Sequence, residues 1–389
     1  MRIVADENIP YGEEAFTTLG KVETAPGRAI TPELVRDADL LIVRSITQVD
    51  AALIEGASLR FVGTCTIGED HIDKALLAAR GIGYASAPGC NANSVAEYIV
   101  SALIALADRH MLDLASLSLG IVGVGNVGSK VQQKAEALGM TCVLNDPPLA
   151  SSTGDPKYRP IEAIFGCDII TLHVPLTKEG PHATHHLVDD TFIARMGPQT
   201  ILINSSRGPV VHSGYLEAAL ESGSLKGCVL DVWEDEPVID SSLLELVDLG
   251  TPHIAGYSFD GKVNGTMQIY EAACKHLGIS PTFDVTPLLP PPKQAHITVY
   301  ADEPNALAQT VRAVYDIRRD DADMRSRLLS ATPDEQPIAF DHLRKTYPVR
   351  REFFNTAVEL AAPDAQLEQK LAGIGFTIAT PTPSVTGGM

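Results

Sequence analysis

Three side chains with charged or titratable groups stand just after short apolar runs of this sequence. They are Arg207, Glu236 and His253, and the runs cover residues 200–204, 227–231 and 246–249. Short apolar runs of this kind are typical of buried strands in a parallel sheet. Because parallel strands end at one edge of their sheet, we expect the three side chains to lie near one another.

An arginine, a carboxylate and a histidine at one edge suit the oxidation of a 2-hydroxy acid. The guanidinium of Arg207 offers two N–H groups to a substrate carboxylate. The imidazole of His253 can take the hydroxyl proton in oxidation and return it in reduction. Glu236 would accept a hydrogen bond from the other imidazole nitrogen, which fixes the tautomer and stabilises the charged ring. Each residue also has an ordinary structural explanation. Arg207 could belong to a turn, Glu236 to a solvated loop, and His253 to the start of a helix.

The glycine pattern G-x-G-x-x-G occupies Gly123, Gly125 and Gly128. An apolar run precedes it at residues 119–122, and a helical pattern follows at 129–139. In this strand–turn–helix context the pattern binds dinucleotides. Gly123 permits the tight turn, Gly125 lets a pyrophosphate approach the backbone, and Gly128 lets the helix pack closely. The first N–H groups of the helix then face the phosphates.

A carboxylate follows the glycine pattern at the spacing that suits an adenosine ribose. Residues 141–145 predict a second strand, and Asp146 ends it 18 residues beyond Gly128. An acid here repels a 2′-phosphate, so the sequence predicts NAD rather than NADP as the cofactor. Asp231, after a later strand, could bond the nicotinamide carboxamide. The alternative is a βαβ unit whose glycines are incidental.

Two loops near the N-terminus could supply the rest of a substrate site. Arg44 and Ser45 follow an apolar run at residues 39–43, and Thr66 follows another at 60–63. Open α/β sheets bind ligands in loops beyond the carboxyl ends of their strands, so these side chains could hold an oxyanion. A structural explanation is equally good: the hydroxyl groups of Ser45 and Thr66 could stabilise turns, and Arg44 could be exposed to solvent.

The order of the elements predicts an α/β protein with two doubly wound, Rossmann-like parallel sheets. We expect residues 1–93 and 255–280 to form a substrate-binding domain, and residues 94–254 a dinucleotide-binding domain. A long helix at 93–111 joins them and is apolar nearly all round, so it should be buried. Other helices are predicted at 70–79, 190–196, 212–222 and 259–278. The polar stretch after Asp146 is predicted to be a loop.

The C-terminal part has a different composition. A proline-rich linker at residues 281–294 precedes a small α+β domain at 295–380, which we expect to serve in assembly. Residues 381–389 are predicted to be a flexible tail. A histidine-rich segment at 178–186 lacks cysteine or carboxylate ligands at metal-site spacing, so we expect a solvated loop and no bound metal.

The composition excludes several classes of protein. The chain has 389 residues, 45% of them hydrophobic, and a formal net charge of −19, which disfavours nonspecific binding to nucleic acid. The six cysteines are far apart, as expected for reduced thiols in a cytoplasmic protein. The chain opens directly into a predicted strand, so we expect no signal peptide. Its longest apolar run, residues 99–107, is too short to cross a membrane.

Three segments around these residues resemble the signatures of the D-isomer-specific 2-hydroxyacid dehydrogenases. They are Asn204-Ser-Ser-Arg207-Gly208, Asp231-Val-Trp-Glu-Asp-Glu236-Pro237 and Thr251-Pro-His253-Ile-Ala-Gly256. The resemblance extends over residues 1–280. It is closest to a branch of the family that oxidises a phosphorylated 2-hydroxy acid and carries a C-terminal domain after a proline-rich linker. The segments that carry this closer similarity are residues 2–10, 43–47, 64–73, 87–97 and 253–258.

The resemblance implies a role for each candidate residue. Arg207 and Glu236 would be active-site residues and His253 the proton donor. The residues implied to contact the substrate are Ser45, Thr66 and Tyr257. Those implied to contact NAD are Asn126, Val127, Asp146, Asp231 and Gly256. Val174 stands near a cofactor position where relatives often carry threonine. The resemblance also implies a homodimer formed through the C-terminal domain.

Two other functions stay open. The first is another dehydrogenase of phosphorylated 2-hydroxy acids, such as 3-phosphoglycerate dehydrogenase, which differs in substrate and usually in its C-terminal domain. The second is a non-catalytic NAD-sensing protein on the same fold, because such proteins can retain Arg207, Glu236 and His253.

Overall fold

The computed structural model of the chain describes residues 1–379. The tail predicted at 381–389 lies outside the described residues. The chain divides into two compact units. The first comprises Met1–Asn93 and Ser258–Pro291, and the second comprises Ser94–Tyr257 and the part of the chain from Pro292 onward. The domain boundaries predicted from the sequence stay a prediction.

The first unit contains a five-stranded parallel sheet. Its strands are β1 (Arg2–Asp6), β2 (Lys21–Ala25), β3 (Leu40–Val43), β4 (Phe61–Thr64) and β5 (Gly83–Ala85), in the order β2-β1-β3-β4-β5. Its first helices are α1 (Gly12–Thr17), α2 (Pro32–Val35) and α3 (Lys74–Ala79). Strands β3 and β4 are buried along their whole length, as apolar runs in a covered parallel sheet require.

The second unit contains a six-stranded parallel sheet. Its strands are β6 (Ser118–Val122), β7 (Thr141–Asn145), β8 (Ile169–Leu172), β9 (Ile201–Asn204), β10 (Gly227–Leu230) and β11 (Leu249–Gly250). The order across the sheet is β11-β10-β9-β8-β6-β7. From β6 the chain passes to β7 on one side and then crosses to β8 on the other. The carboxyl ends of β6 and β8 therefore form the switch point at which open α/β sheets bind ligands.

Six helices accompany this sheet. They are α4 (Ala92–His110), α5 (Asn126–Ala137), α6 (Pro147–Thr153), α7 (Asp190–Arg195), α8 (Ser213–Glu221) and α9 (Ser241–Leu246). Residues 94–106 of α4 are all buried, which confirms the prediction of a buried helix. The next helix, α10 (Phe259–Leu277), belongs to the first unit and lies beside β4 and β5.

Residues 292–379, here called the C-terminal segment, form a three-stranded parallel sheet with four helices. The elements are β12 (His296–Val299), α11 (Ala306–Val314), α12 (Ile317–Leu328), α13 (Gln336–Lys345), β13 (Ala357–Leu360), α14 (Ala365–Ile374) and β14 (Thr377–Ile378). Val311, Phe353 and Leu371 belong to the same hydrophobic core as residues of α4 and β6. The segment and the six-stranded sheet are therefore packed as one body.

Helices α14 and α5 come very close together, because a Cβ atom on Gly373 would lie 2.5 Å from Cβ of Ala137. The predicted fold class is confirmed: the chain has two parallel-sheet α/β parts and a small C-terminal sheet with helices. Among the described residues, no helix is both long and apolar enough to cross a membrane.

Three local predictions are wrong. The apolar run at 246–249 is a strand only at its end, because Asp240 caps helix α9 over the preceding leucines. The predicted loop after Asp146 contains α6, whose first residues are two prolines that are favourable at a helix start. The helix predicted at 70–79 begins only at Lys74, where the carboxylate of Asp73 accepts a hydrogen bond from the N–H of Leu76.

Two strands had no counterpart in the sequence prediction. The edge strand β2 is largely exposed, so it lacks the continuous apolar run that marked its neighbours. Strand β13 is four residues long and contains a glutamate, although it is the central strand of its sheet. Neither strand carries an apolar run long enough to be recognised alone.

Candidate active site

The glycine turn has the geometry that a dinucleotide requires. Gly123 has a φ of 87°, and a Cβ atom there would lie 2.6 Å from the carbonyl oxygen of His173. A Cβ on Gly128 would collide with the carbonyl oxygen of Gly123, so helix α5 packs directly on the turn. Gly125 is exposed, with open space where its Cβ would be. A pyrophosphate can therefore approach the backbone here.

The residues around the turn leave the start of helix α5 accessible. Asn126, the first residue of α5, is exposed, and Val127 is half-buried. Val174 borders the turn, since its Cγ1 is 2.9 Å from the position a Cβ on Gly123 would take. The unpaired N–H groups of a helix start favour negative charge, so these residues fit the phosphates of NAD.

Asp146 connects the glycine turn to helix α6. Its Oδ2 accepts a hydrogen bond of 2.8 Å from the N–H of Val124, and its Oδ1 accepts one of 2.9 Å from the N–H of Leu149. Each carboxylate oxygen has a second lone pair. The carboxylate can therefore hold the turn and still accept hydroxyl groups of a ribose.

Strands β9, β10 and β11 are neighbours in the sheet, and the three candidate catalytic residues follow them. Nδ1 of His253 lies 2.5 Å from Oε1 of Glu236, with the two side chains 29% and 26% exposed. The carboxylate holds the proton on Nδ1, which leaves Nε2 as the nitrogen that can exchange a proton with a ligand.

Glu236 is prepared to stay ionised. Burial opposes ionisation, but the charge and hydrogen bond of His253 and the nearby charge of Arg344 outweigh it and lower the pKa of Glu236. Its Oε2 is buried and has no hydrogen-bond partner among the described residues. The carboxylate is thus available to stabilise a charged imidazole.

Asp231 holds the backbone of the loop that contains His253. Its Oδ1 accepts hydrogen bonds of 2.7 Å from both the hydroxyl of Thr251 and the N–H of Ile254. Its Oδ2 accepts one of 2.9 Å from the N–H of Ala255. His253 has a φ of 57°, an unusual value for a residue with a side chain. These hydrogen bonds impose that conformation on the loop.

The fully buried side chain of Asp231 was predicted to bond the nicotinamide, and its contacts to the loop were not predicted. Burial raises the pKa of Asp231 above its ordinary value, although the charge of His253 and the three hydrogen bonds act in the opposite direction. The carboxylate of Asp231 therefore acts as a structural acceptor beneath the His253–Glu236 pair.

Arg207 lies in a loop that packs against the loop of Glu236. Its Nη1 donates a hydrogen bond of 2.8 Å to the carbonyl of Ser206, and its own carbonyl accepts one of 3.0 Å from the amide of Asn204. A Cβ atom on Gly208 would overlap the carbonyl of Trp233. Glycine is therefore required at 208, where the two loops meet backbone to backbone.

Tyr257 lies four residues after His253 and contacts the C-terminal segment. The preceding Gly256 is half-buried, and the N–H of Tyr257 bonds the carbonyl of Ile254 at 2.8 Å. The guanidinium carbon of Arg344 is 5.7 Å from the centre of the Tyr257 ring. No feature of the sequence distinguishes Arg344 from arginines on the protein surface, so it was not predicted as a site residue.

The other predicted substrate residues belong to the first unit. Arg44 and Ser45 follow β3, and Thr66 follows the neighbouring strand β4, so one edge of that sheet carries all three. Arg44 is half-buried and Ser45 is exposed. The hydroxyl of Thr66 lies 2.8 Å from that of Thr64 and also donates to the carbonyl of Gly68 at 3.2 Å.

The histidine-rich segment contains stacked rings. The rings of His185 and His186 are 3.9 Å apart, and Nε2 of His186 lies 2.5 Å from Oε1 of Glu234. Oε2 of Glu234 accepts a hydrogen bond from the N–H of Ser213. No group of three or more histidine, cysteine or acidic side chains within residues 1–379 could hold a metal ion. The segment therefore supports the loop of Glu236.

Comparison with known proteins places the chain among dehydrogenases. Residues 95–255 match the family described as D-isomer specific 2-hydroxyacid dehydrogenase, NAD binding domain. The chain is 47% identical to erythronate-4-phosphate dehydrogenase of Cronobacter sakazakii over 97% of its length and 98% of that protein. The enzyme of the same name from Azotobacter vinelandii is also 47% identical, over 96% of this chain and 99% of that one. The chain belongs to the erythronate-4-phosphate dehydrogenase family.

Solved structures agree with this family. D-lactate dehydrogenase from Aquifex aeolicus, complexed with NAD and lactic acid, aligns with a TM-score of 0.58 and 25% identity, over 72% of this chain and 96% of that one. Residues 288–375 match a domain of unknown function, DUF3410. The family and its NAD-binding domain confirm the predictions of a dehydrogenase fold and of NAD as the cofactor.

Proposed function

We propose that this protein oxidises 4-phospho-D-erythronate to (R)-3-hydroxy-2-oxo-4-phosphooxybutanoate, with NAD as the hydride acceptor, in the biosynthesis of pyridoxal 5′-phosphate. The observation that carries the proposal is the 2.5 Å contact between His253 and Glu236 at the carboxyl edge of an NAD-binding sheet. This pair can take up the proton that a 2-hydroxyl group releases. The choice of substrate follows the name of the Cronobacter sakazakii and Azotobacter vinelandii relatives.

The chain's own residues divide the chemistry between them. Arg207 binds the substrate carboxylate through its planar guanidinium and orients C2. Nε2 of His253 accepts the hydroxyl proton while the C2–O bond becomes a carbonyl, and the ionised Glu236 stabilises the resulting imidazolium. NAD supplies the acceptor for the hydride that leaves C2. His253 then releases its proton to solvent.

The cofactor is held at the switch point of the six-stranded sheet. The residues proposed to contact it are Gly123, Gly125, Asn126, Val127, Gly128, Asp146, Val174, Asp231 and Gly256. Asp146 accepts the hydroxyl groups of the adenosine ribose, and the negative charge of its side chain selects against a 2′-phosphate. The substrate contacts are proposed for Arg44, Ser45, Thr66 and Tyr257.

A panel of substrates tests the proposal. NADH formation is measured with 4-phospho-D-erythronate, 3-phosphoglycerate and unphosphorylated D-2-hydroxy acids. We expect 4-phospho-D-erythronate to have the highest kcat/KM. A clear preference for 3-phosphoglycerate would instead identify another phosphorylated-acid dehydrogenase. Binding of NAD without turnover of any substrate in the panel would indicate the non-catalytic NAD sensor.

We also propose that the protein is a cytoplasmic homodimer assembled through the C-terminal segment. The support is a set of exposed apolar side chains there, Tyr300, Ile338, Val349 and Phe354. Light scattering of the full chain should give the mass of a dimer. Ile338→Asp or Phe354→Asp should shift it toward the monomer if the interface includes these positions. A dimer unaffected by both changes would place the interface elsewhere.

A further inference from the structure

Helix α13 of the C-terminal segment presents an arginine to the proposed active site of the same unit. The guanidinium of Arg344 lies over the ring of Tyr257, 5.7 Å from its centre. Its charge also acts on Glu236, the partner of His253. Both neighbours come from the loops that follow β10 and β11. Arg344 is therefore close to two residues that the proposed reaction uses.

The guanidinium of Arg344 has few polar partners within its own helix. Its side chain is 23% exposed, and its nearest helical carboxylate, Asp341, is 4.0 Å away. Its Nε is buried and has no hydrogen-bond partner among the described residues. Removing a guanidinium from water costs free energy unless other groups compensate. Burial lowers the pKa of Arg344, but interactions with Tyr257 and Glu236 outweigh it and raise the pKa.

The loop after His253 has further contacts with the C-terminal segment. The ring of Tyr347 packs edge-on against Tyr257, with 5.9 Å between the ring centres. Nη2 of Arg350 donates a hydrogen bond of 2.8 Å to the carbonyl of Ala255 and one of 2.5 Å to the hydroxyl of Ser94. The hydroxyl of Ser94 donates to the same carbonyl at 2.8 Å. The C-terminal segment thus fixes residues 255–257 from its own side.

We propose that the C-terminal segment is part of the catalytic apparatus of its own chain, with Arg344 as a positioning residue that holds Tyr257 in place and whose charge faces the His253–Glu236 pair. The inference rests on the proposed function, since it assigns His253 as the acid–base group. It gives the C-terminal segment a role within one chain in addition to assembly. Arg344 acts through its two neighbours and does not itself exchange the proton.

The charges around the pair determine what removing Arg344 does. The charges of His253 and Arg344 both favour the ionised form of Glu236, while Tyr257, Glu236 and Asp341 favour the charged form of Arg344. Loss of the cation makes ionisation of Glu236 less favourable and raises its pKa. The acid limb of the kcat/KM profile should therefore move to higher pH.

The experiment compares three full-length variants in steady-state kinetics across pH. Arg344→Gln should lower kcat/KM roughly 10- to 100-fold, as expected when a reacting group is displaced. It should also raise KM and shift the acid limb upward. Arg344→Lys should restore the limb, because the charge returns, while KM stays raised because an ammonium does not reproduce the planar contact with Tyr257. Lys345→Gln removes an exposed charge one residue along the same helix and should behave as the wild type.

A loss of activity in Arg344→Gln with an unmoved acid limb would overturn the proposal, because a merely structural role has that result. Equal behaviour of Arg344→Gln and Lys345→Gln would also overturn it. If the wild type oxidises no acid in the panel, the proposed function fails separately. In that case, a double-mutant cycle of Arg344→Gln and Tyr257→Ala is measured by denaturant unfolding. Changes in unfolding free energy that are not additive support the contact between the two side chains, and additive changes overturn it.

Discussion

At the scale of the residue, the conformation of His253 depends on the carboxylate beneath it. A non-glycine residue at a φ of 57° stores backbone strain, and the three hydrogen bonds to Asp231 hold the loop in place. The same loop directs Nδ1 at Glu236. The position of the proposed acid–base nitrogen is therefore set by a residue that need not touch the substrate.

Replacing His253 by alanine should severely slow hydride transfer without abolishing cofactor binding. General acid–base catalysis contributes roughly 10²- to 10⁴-fold, so kcat should fall by a factor in that range. NAD binding, followed by calorimetry, should stay close to the wild-type affinity. His182→Ala removes an exposed imidazole and serves as the control. Unchanged turnover in His253→Ala would exclude it as the base.

Asp146 can be tested by separating its charge from its hydrogen bonds. Asp146→Asn keeps an oxygen that can cap helix α6 but removes the charge, so the preference for NAD over NADP should relax with little loss of stability. Asp146→Ala loses the cap as well, which should cost about 1 kcal/mol in unfolding free energy. The ratio of kcat/KM for the two cofactors is the measurement. A ratio that neither change alters would exclude the ribose contact.

At the scale of the element, the loops that carry Arg207 and Glu236 depend on close backbone contact. Gly208→Ala would place a methyl group against the carbonyl of Trp233 and displace the loop of Arg207. A displacement of about 1 Å can cost 100-fold, so a loss of kcat/KM approaching that size is expected. Gly214→Ala is the matched control, since its Cβ would have only ordinary contacts, at 3.5 Å or more.

Kinetic and folding effects of Gly208→Ala are separable by thermal unfolding. The altered loop should lower activity at temperatures far below the unfolding midpoint, where the variant is still folded. If activity instead follows the folded fraction, the contact supports only stability. Wild-type kinetics in the variant would mean that the two loops can move apart without consequence.

The strands and loops that carry Arg207, Glu236 and His253 could be predicted because buried parallel strands leave continuous apolar runs. The same rule failed at 246–249, where apolar residues of a short capped helix and a two-residue strand adjoin. Strand β2 was invisible because an exposed edge strand needs no apolar run. The local pattern of apolar residues therefore predicts strands that are covered on both faces far better than edge strands or very short strands.

The residues that support the candidate active site were harder to predict than the candidate catalytic residues themselves. Asp231 was predicted to contact the cofactor, but its bonds to the loop of His253 depend on the conformation of the turn after β11 and were not predicted. Arg344 is 91 residues beyond His253 in sequence and has no motif around it. A contact made only by tertiary packing leaves no local signal, so residue types and spacing alone do not predict it.

At the scale of the molecule, the C-terminal segment contains a partly buried carboxyl group that should make stability depend on pH. Asp320 accepts hydrogen bonds from Tyr315 and Tyr347 at 2.9 and 3.0 Å. Burial raises its pKa to about 6, against the opposing charge of Arg350. Because the folded state favours the protonated form, this contribution to stability is present below about pH 4 and is lost as the pH rises through about 6.

Asp320→Asn should remove that dependence. The difference in unfolding free energy between wild type and variant should change by up to about 3 kcal/mol between pH 4 and pH 7, since each pKa unit corresponds to 1.36 kcal/mol. The wild type should lose stability relative to the variant over this interval. Urea unfolding at several pH values measures the difference. If the unfolding free energies of wild type and variant changed with pH in parallel, the raised pKa of Asp320 would be contradicted.

The shared core of the C-terminal segment and the six-stranded sheet also has a consequence during synthesis. Leu371, Ile374 and Phe376 complete a core that begins at Val95, so the apolar faces of α4 and β6 lack part of their cover until nearly the whole chain has left the ribosome. Exposed apolar surface of this kind promotes aggregation of incomplete chains. A premature stop codon between β6 and α14 should therefore leave an insoluble product and not a shorter enzyme.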